Sequence, residues 1–198
     1  MSLVFDFDGV LVDTLQANIE AINAFSRKYK FPRMTVAVYT RMLDHNFTEY
    51  WQMMLGAHAK YFLNDLHTYP RPHPQLIPHM RELLLDFKPA IVSSNTSHLI
   101  RHVLQDNHVH VPVYGVDDHP SKIVKLLRLA VEPNVFVTDT AGDVLEGKRA
   151  GYFVIAVTWG FTPVAVLRKS QPHAIVNTPH ELRLLLEKAQ KLELPLVH

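Results

Sequence analysis

Leu3-Val4-Phe5-Asp6-Phe7-Asp8-Gly9-Val10-Leu11-Val12-Asp13-Thr14 decides how the rest of the chain is read. Its three leading apolar residues predict a short buried strand. Asp-Phe-Asp-Gly then makes a turn that carries two carboxylates at the strand's end. Behind it Leu15, Ile19, Ile22, Phe25 and Tyr29 recur at helical spacing until Phe31-Pro32 stops the helix. Residues 35–43 and 48–63 predict two more helices, with Asp44-His45-Asn46 between them. Tyr69-Pro70-Arg71-Pro72-His73-Pro74 is a proline-rich crossing and marks the boundary between two structural units.

Beyond that crossing, helices and short apolar strands alternate. Helices are expected over 76–87, 97–106, 121–131, 142–150 and 179–191. Strands are expected over 90–92, 111–116 (weak), 135–137, 153–157 and 174–176. Such alternation indicates an α/β protein with a Rossmann-like parallel sheet and helices on both faces. Residues 1–14 and 73–198 then form the core, and 15–72 a small helical cap inserted after the first strand.

Composition narrows the field. The 198 residues hold 20 basic and 19 acidic side chains, net charge +1, with no long run of one sign. Nucleic acid and anionic membranes are therefore not expected partners. No apolar run approaches the ~20 residues of a membrane helix. Cysteine is absent, so disulfides and thiolate metal sites are excluded, and a cytoplasmic setting is the simple reading. Asp6 and Asp8 break the first apolar stretch at once, so no signal peptide is read there. Thirteen histidines are scattered and are read as surface or loop residues.

In an open parallel sheet the active site lies beyond the carboxyl ends of the strands. Here those ends bring Asp6 and Asp8, then Ser93, Ser94 and Asn95, then Lys122 at a helix start, then Asp139 and Asp143. Each group has a plain alternative as an acidic turn, a helix cap, a solvated lysine or a helix N-terminus. Their occurrence together, always at a strand end, is what carries weight. Several converging carboxylates cannot all stay ionised without a cation. Oxygen ligands favour a hard ion, magnesium first. A lysine and hydroxyls beside it make a cradle for a phosphoryl group.

Asp6-Phe7-Asp8-Gly9-Val10-Leu11-Val12-Asp13-Thr14 resembles the first signature of the haloacid dehalogenase superfamily. Ala90-Ile91-Val92-Ser93-Ser94-Asn95 is similar to the second, Lys122 to the third, and Asp139-Thr140-Ala141-Gly142-Asp143 to the fourth. The insertion resembles the small mobile cap of the phosphoglycolate phosphatase and β-phosphoglucomutase branch. The resemblance implies a magnesium-dependent phosphatase acting on a small phosphorylated metabolite. Asp6 would be the nucleophile, forming an aspartyl-phosphate, and Asp8 the general acid and base. Magnesium would lie on Asp6, the Asp8 carbonyl and Asp139, with Asp143 adjacent or bound through water. Ser93 and Lys122 would hold the phosphoryl group, supported by Ser94 and Asn95. Ser93 is preferred over Ser94 because it directly ends the strand.

Two departures stand out. Thr138 occupies a position where the family usually has glycine, which is sterically tolerable but crowds the metal loop. His119-Pro120-Ser121-Lys122 replaces the commoner lysine-proline form and points to a less typical branch. In the cap, Arg41, His45 and Asn46 flank a turn from which they can reach a substrate. Trp51, Met53, Met54 and Leu55 are read as cap core, and Trp159-Gly160-Phe161 as a turn at the site rim. The insertion is expected to move as a lid on short hinges. A phosphomutase and a non-catalytic regulatory protein are the competing readings, and the chain is read as a monomer or homodimer.

Overall fold

Strand β1 (Ser2–Phe5) lies in the middle of a six-stranded sheet, hydrogen-bonded on both sides. The computed structural model describes residues 2–44, 47–70 and 74–191. The other strands are β2 (Ala90–Val92), β3 (Val113–Tyr114), β4 (Asn134–Thr138), β5 (Phe153–Val157) and β6 (Ala174–Val176). All pair in parallel, in the order β3-β2-β1-β4-β5-β6. Parallel strands need crossovers, and those crossovers place helices on both faces.

Side-chain alternation explains why the strands read as unbroken apolar runs. Leu3, Phe5, Val135, Val137 and Ile155 point to one face. There they pack against α6 (Met80–Phe87), α7 (Ser97–Asp106) and α11 (Pro179–Gln190). Val4, Val92, Phe136, Val154 and Ala156 point to the other. They meet Leu126 of α8 (Lys122–Leu129), Val144 of α9 (Ala141–Arg149) and Leu167 of α10 (Val164–Ser170).

The segment between β1 and β2 has an apolar cluster of its own. It is built from α1 (Leu15–Ala24), α2 (Ser26–Tyr29), α3 (Val36–Met42), α4 (Phe47–Leu55) and α5 (Ala59–Thr68). Trp51 and Phe62 pack at its centre with rings tilted by 45° and centroids 4.2 Å apart. The chain leaves the sheet and returns to it side by side. Val12 bridges Leu76, and the Ile77 amide donates to the Leu11 carbonyl at 2.8 Å.

Several expectations shift in detail. The first expected helix breaks at Phe25 and ends at Lys30 in the left-handed region (φ 57°). The helix expected over 48–63 is split by a 3₁₀ turn at Gly56–His58, where Gly56 has φ 53°. The helix expected over 76–87 starts only at Met80, because Leu76 is held by the bridge to Val12. Helix α10 was not anticipated. Of the four residues read as cap core, Trp51 is buried. Met53 and Met54 are exposed at 86% and 50%, while Leu55, four residues on from Trp51, packs against the cluster. His45, Asn46 and Pro72 fall outside the described residues.

Candidate active site

The strand order reverses between β1 and β4, so the crevice beyond their carboxyl ends is the expected ligand position. Asp6 follows β1 and Asp139 follows β4, one residue apart in register. Phe5 pairs with Val137, and the Asp6 amide donates to the Val137 carbonyl. Adjacent parallel strands therefore deliver both carboxylates to one place.

Lys122 joins the remaining parts. Its ammonium donates to Asp6 Oδ2 at 3.0 Å and to Asp143 Oδ2 at 2.6 Å. A lysine at a helix start opposes the helix dipole, so this placement needs its two carboxylate partners. Lys122 is buried, which alone would push its pKa down. Asp143 and Asp6 outweigh that and raise it. Burial, together with Asp143 and Asp139, pushes the Asp6 carboxyl well above its ordinary range against the pull of Lys122. Burial would also raise Asp143, but Lys122 and the hydrogen bonds around it hold it low.

Asp139 is fully buried, and burial is the main reason its pKa is pushed up to about 7. Its Oδ2 accepts the Phe161 amide at 2.7 Å, while its buried Oδ1 has no hydrogen-bond partner. The pocket around this carboxylate is cut to its size. Gly9, at φ 76°, and Gly160 press against it, and a Cβ on either would overlap its atoms. A buried carboxylate oxygen left without a donor suits a cation. Among the described residues, no three His, Asp or Glu side chains form a metal cage by themselves. A cation here would also draw on backbone and solvent oxygens, the habit of magnesium.

Asp8 stands nearer the opening. Its Oδ1 accepts from Thr14 Oγ1 at 2.6 Å and its Oδ2 from Asn95 Nδ2 at 3.4 Å. Asn18 Nδ2 donates to both Thr14 Oγ1 (3.2 Å) and Tyr39 Oη (3.1 Å), so a polar chain runs from Asp8 into the insertion. Ser93 is buried and its Oγ accepts the Asn95 amide at 3.0 Å; Ser94 and Asn95 are half-buried. Ser93, Ser94, Asn95, Lys122, Asp6, Asp8 and Asp143 all line one cavity of about 780 Å³ including its mouth.

Arg41 does not join them. It is exposed on α3 and absent from the cavity wall. Its neighbours Tyr39 and Met42 take the inward positions of that helix. Tyr39 and Leu43 line the cavity where Arg41 was expected. Thr138 has a role the sequence did not suggest. It is fully buried, and its Oγ1 donates to Asp143 Oδ2 at 3.0 Å, so it positions that carboxylate instead of merely crowding the loop.

Lys125 was also missed. It is buried, and its ammonium donates to the carbonyls of Ser93 (2.6 Å) and Gly115 (2.9 Å), tying two site loops together. The signal was in the sequence. Lys122, Lys125, Leu126 and Leu129 share one helix face at spacings of three, four and seven. Lys125→Met should cost about 1–3 kcal/mol by leaving the two carbonyls without this donor. Burial lowers the Lys125 pKa from 10.5 to about 8. Between those values the unfolded chain holds more protons, so the residue's contribution to stability rises with pH. Urea unfolding of wild type and Lys125→Met at several pH values checks this. The wild-type advantage should grow from pH 8 to pH 10.5, and a difference that shrinks there refutes the assignment.

Comparison with known proteins agrees with this geometry. The model of the haloacid dehalogenase-like hydrolase family matches residues 3–157, and the chain belongs to that family. It is an enzyme of the branch that includes phosphoglycolate phosphatases and β-phosphoglucomutases. It is 24% identical to the phosphoglycolate phosphatase of Synechococcus elongatus, over 91% of this chain and 94% of that one. It is 25% identical to the phosphoglycolate phosphatase of Aquifex aeolicus, over 93% and 96%. A hydrolase structure from Pseudomonas syringae superimposes with TM-score 0.79 at 16% identity, covering 95% of this chain and 98% of that one, and shares its fold.

Proposed function

We propose that the chain is a magnesium-dependent phosphatase that hydrolyses a small phosphate monoester through an aspartyl-phosphate on Asp6. The observation that carries this reading is Lys122 bridging Asp6 and Asp143 at the foot of a cavity on the sheet's switch point. Membership of a hydrolase family and likeness to phosphatases support it.

In the first step an Asp6 oxygen attacks phosphorus and the ester P–O bond breaks. Asp8 gives its proton to the leaving oxygen, so an alcohol departs. In the second step the Asp8 carboxylate takes a proton from water, and the water oxygen attacks phosphorus. The bond from Asp6 to phosphorus breaks, releasing phosphate and restoring both residues. Ser93 and Lys122 hold the phosphoryl oxygens, with Ser94 and Asn95 beside them. Asp6, the Asp8 carbonyl and Asp139 would hold the magnesium ion, with Asp143 adjacent. The ion would supply positive charge against the phosphoryl oxygens and keep the crowded carboxylates ionised.

We read residues 15–72 as a cap that opens and closes over this site. The paired segments at Val12 and Leu76 offer a narrow hinge. Contact of the insertion with the core, through the Gly142 amide on the Leu43 carbonyl, corresponds to a seated state.

The acid role is tested by Asp8→Asn. General acid catalysis is worth roughly 10²–10⁴-fold when the leaving group is poor. Alkyl phosphate hydrolysis should fall by that factor, and hydrolysis of an activated aryl phosphate by much less. Steady-state rates on the two substrates decide, and equal losses would remove Asp8 from the acid role.

A further inference from the structure

The cavity has two unlike ends. One end holds the carboxylates, Lys122 and the Ser93 loop. The other is walled by Ile22, Tyr39, Leu43, Phe47, Leu66 and Phe161. Five of these come from the insertion and one from the loop after β5. Asn18, His67 and the Tyr39 hydroxyl supply polar atoms at that end among the described lining residues. Lys122 is the sole lysine or arginine among them, and it is engaged by Asp6 and Asp143.

This wall bears on the alcohol part of the substrate. A phosphorylated hydroxy acid would bring a second anion into the cavity. That carboxylate would lose water against apolar side chains, with no lysine or arginine of the described wall to receive it. It would also face the negative field of Asp6, Asp8 and Asp143. An uncharged apolar or aromatic group loses nothing comparable and gains burial against Leu43, Phe47 and Leu66.

We infer that this wall is a leaving-group subsite for an uncharged, predominantly apolar or aromatic alcohol, so that carboxylate-bearing esters are poor substrates. The inference rests on the phosphatase reading and sets this chain apart from the relatives named for phosphoglycolate. Tyr39 and Phe161 both line the cavity and meet edge to face with centroids 6.1 Å apart, so an aromatic group can add to the pair. The polar chain from Tyr39 through Asn18 and Thr14 reaches Asp8, so the subsite adjoins the acid that protonates the departing oxygen.

The test uses a pair matched at the scissile oxygen, benzyl phosphate and para-carboxybenzyl phosphate, with the full chain and magnesium. Their leaving groups are alike, so a difference in kcat/KM reads the wall. Benzyl phosphate should be preferred roughly 10²-fold, the scale on which a dry site rejects an unpaired polar group. Phe47→Lys places an ammonium in the wall and should cut that preference at least about tenfold, mostly through KM for the carboxylate partner. Phe47→Ala should weaken benzyl phosphate without rescuing its partner. Equal kcat/KM, a preference for the carboxylate, or turnover of neither overturns the subsite. The Asp6→Asn variant assayed on an activated aryl phosphate separates the two readings. If it is inactive while the wild type is unselective, the phosphatase stands and the subsite falls.

Discussion

Asp6→Asn should reduce phosphate release by at least about 10⁴-fold and leave the fold intact. An amide does not attack phosphorus, and the proposed cycle has no second nucleophile to take its place. The expectation for stability is as informative. Burial first, and then Asp143 and Asp139, disfavour the Asp6 charge and outweigh the pull of Lys122. Asn keeps the shape and removes one repelling charge, while Lys122 keeps Asp143 at 2.6 Å. The melting temperature should therefore hold or rise. Thermal unfolding and a sensitive phosphate assay on one preparation suffice. A variant that keeps more than about one hundredth of wild-type turnover, with magnesium dependence unchanged, has another nucleophile. A collapse in melting temperature would mean that Asp6 serves the fold first.

Lys122→Met should do the opposite to stability. Removing one partner of a buried ion pair leaves the other charge stranded, and the usual cost is about 3–5 kcal/mol. Here the stranded groups are Asp6 and Asp143, held together by one ammonium. Activity should fall as well, because the phosphoryl group loses its cation. Magnesium provides a control that does not depend on turnover. A cation bound among these carboxylates stabilises the folded state by mass action. The variant should regain part of its lost melting temperature as magnesium is added, and gain more than the wild type does. No loss on substitution would contradict the buried bridge. No recovery with magnesium would place the ion elsewhere.

What could be read from the sequence, and what could not, follows one physical line. Residues fixed by the local chain were legible. Strand β1 and the Asp-Phe-Asp-Gly turn announce themselves, and so do the Ser93 loop and Asp139, since each sits directly at a strand end. Lys122 was placed by its helix start. Residues whose role depends on the meeting of distant elements were not legible. Thr138 was read as a steric intrusion, although Asp143 one helical turn on supplies its acceptor. Arg41 was read as reaching a substrate from the turn it flanks, yet α3 turns Tyr39 and Met42 inward. The cavity is completed by apolar side chains that carry no chemical signature in sequence. The break at Gly56 and the late start at Met80 were missed for the same reason. Periodicity marks a helix but does not report the turn or bridge that interrupts it.

Phe161 has its amide on Asp139 and its ring in the insertion's apolar cluster, where it is 8% exposed. The insertion and the core thus meet at a residue that lies in neither sequence segment's obvious interior. A pruned chain lacking residues 15–72 would not simply be the same enzyme with a wider entrance. It would strip the Phe161 ring of the apolar side chains that cover it and leave an aromatic ring facing water at the rim. A capless descendant of this sequence, natural or engineered, would be better served by a side chain at position 161 that tolerates water while its amide stays on Asp139.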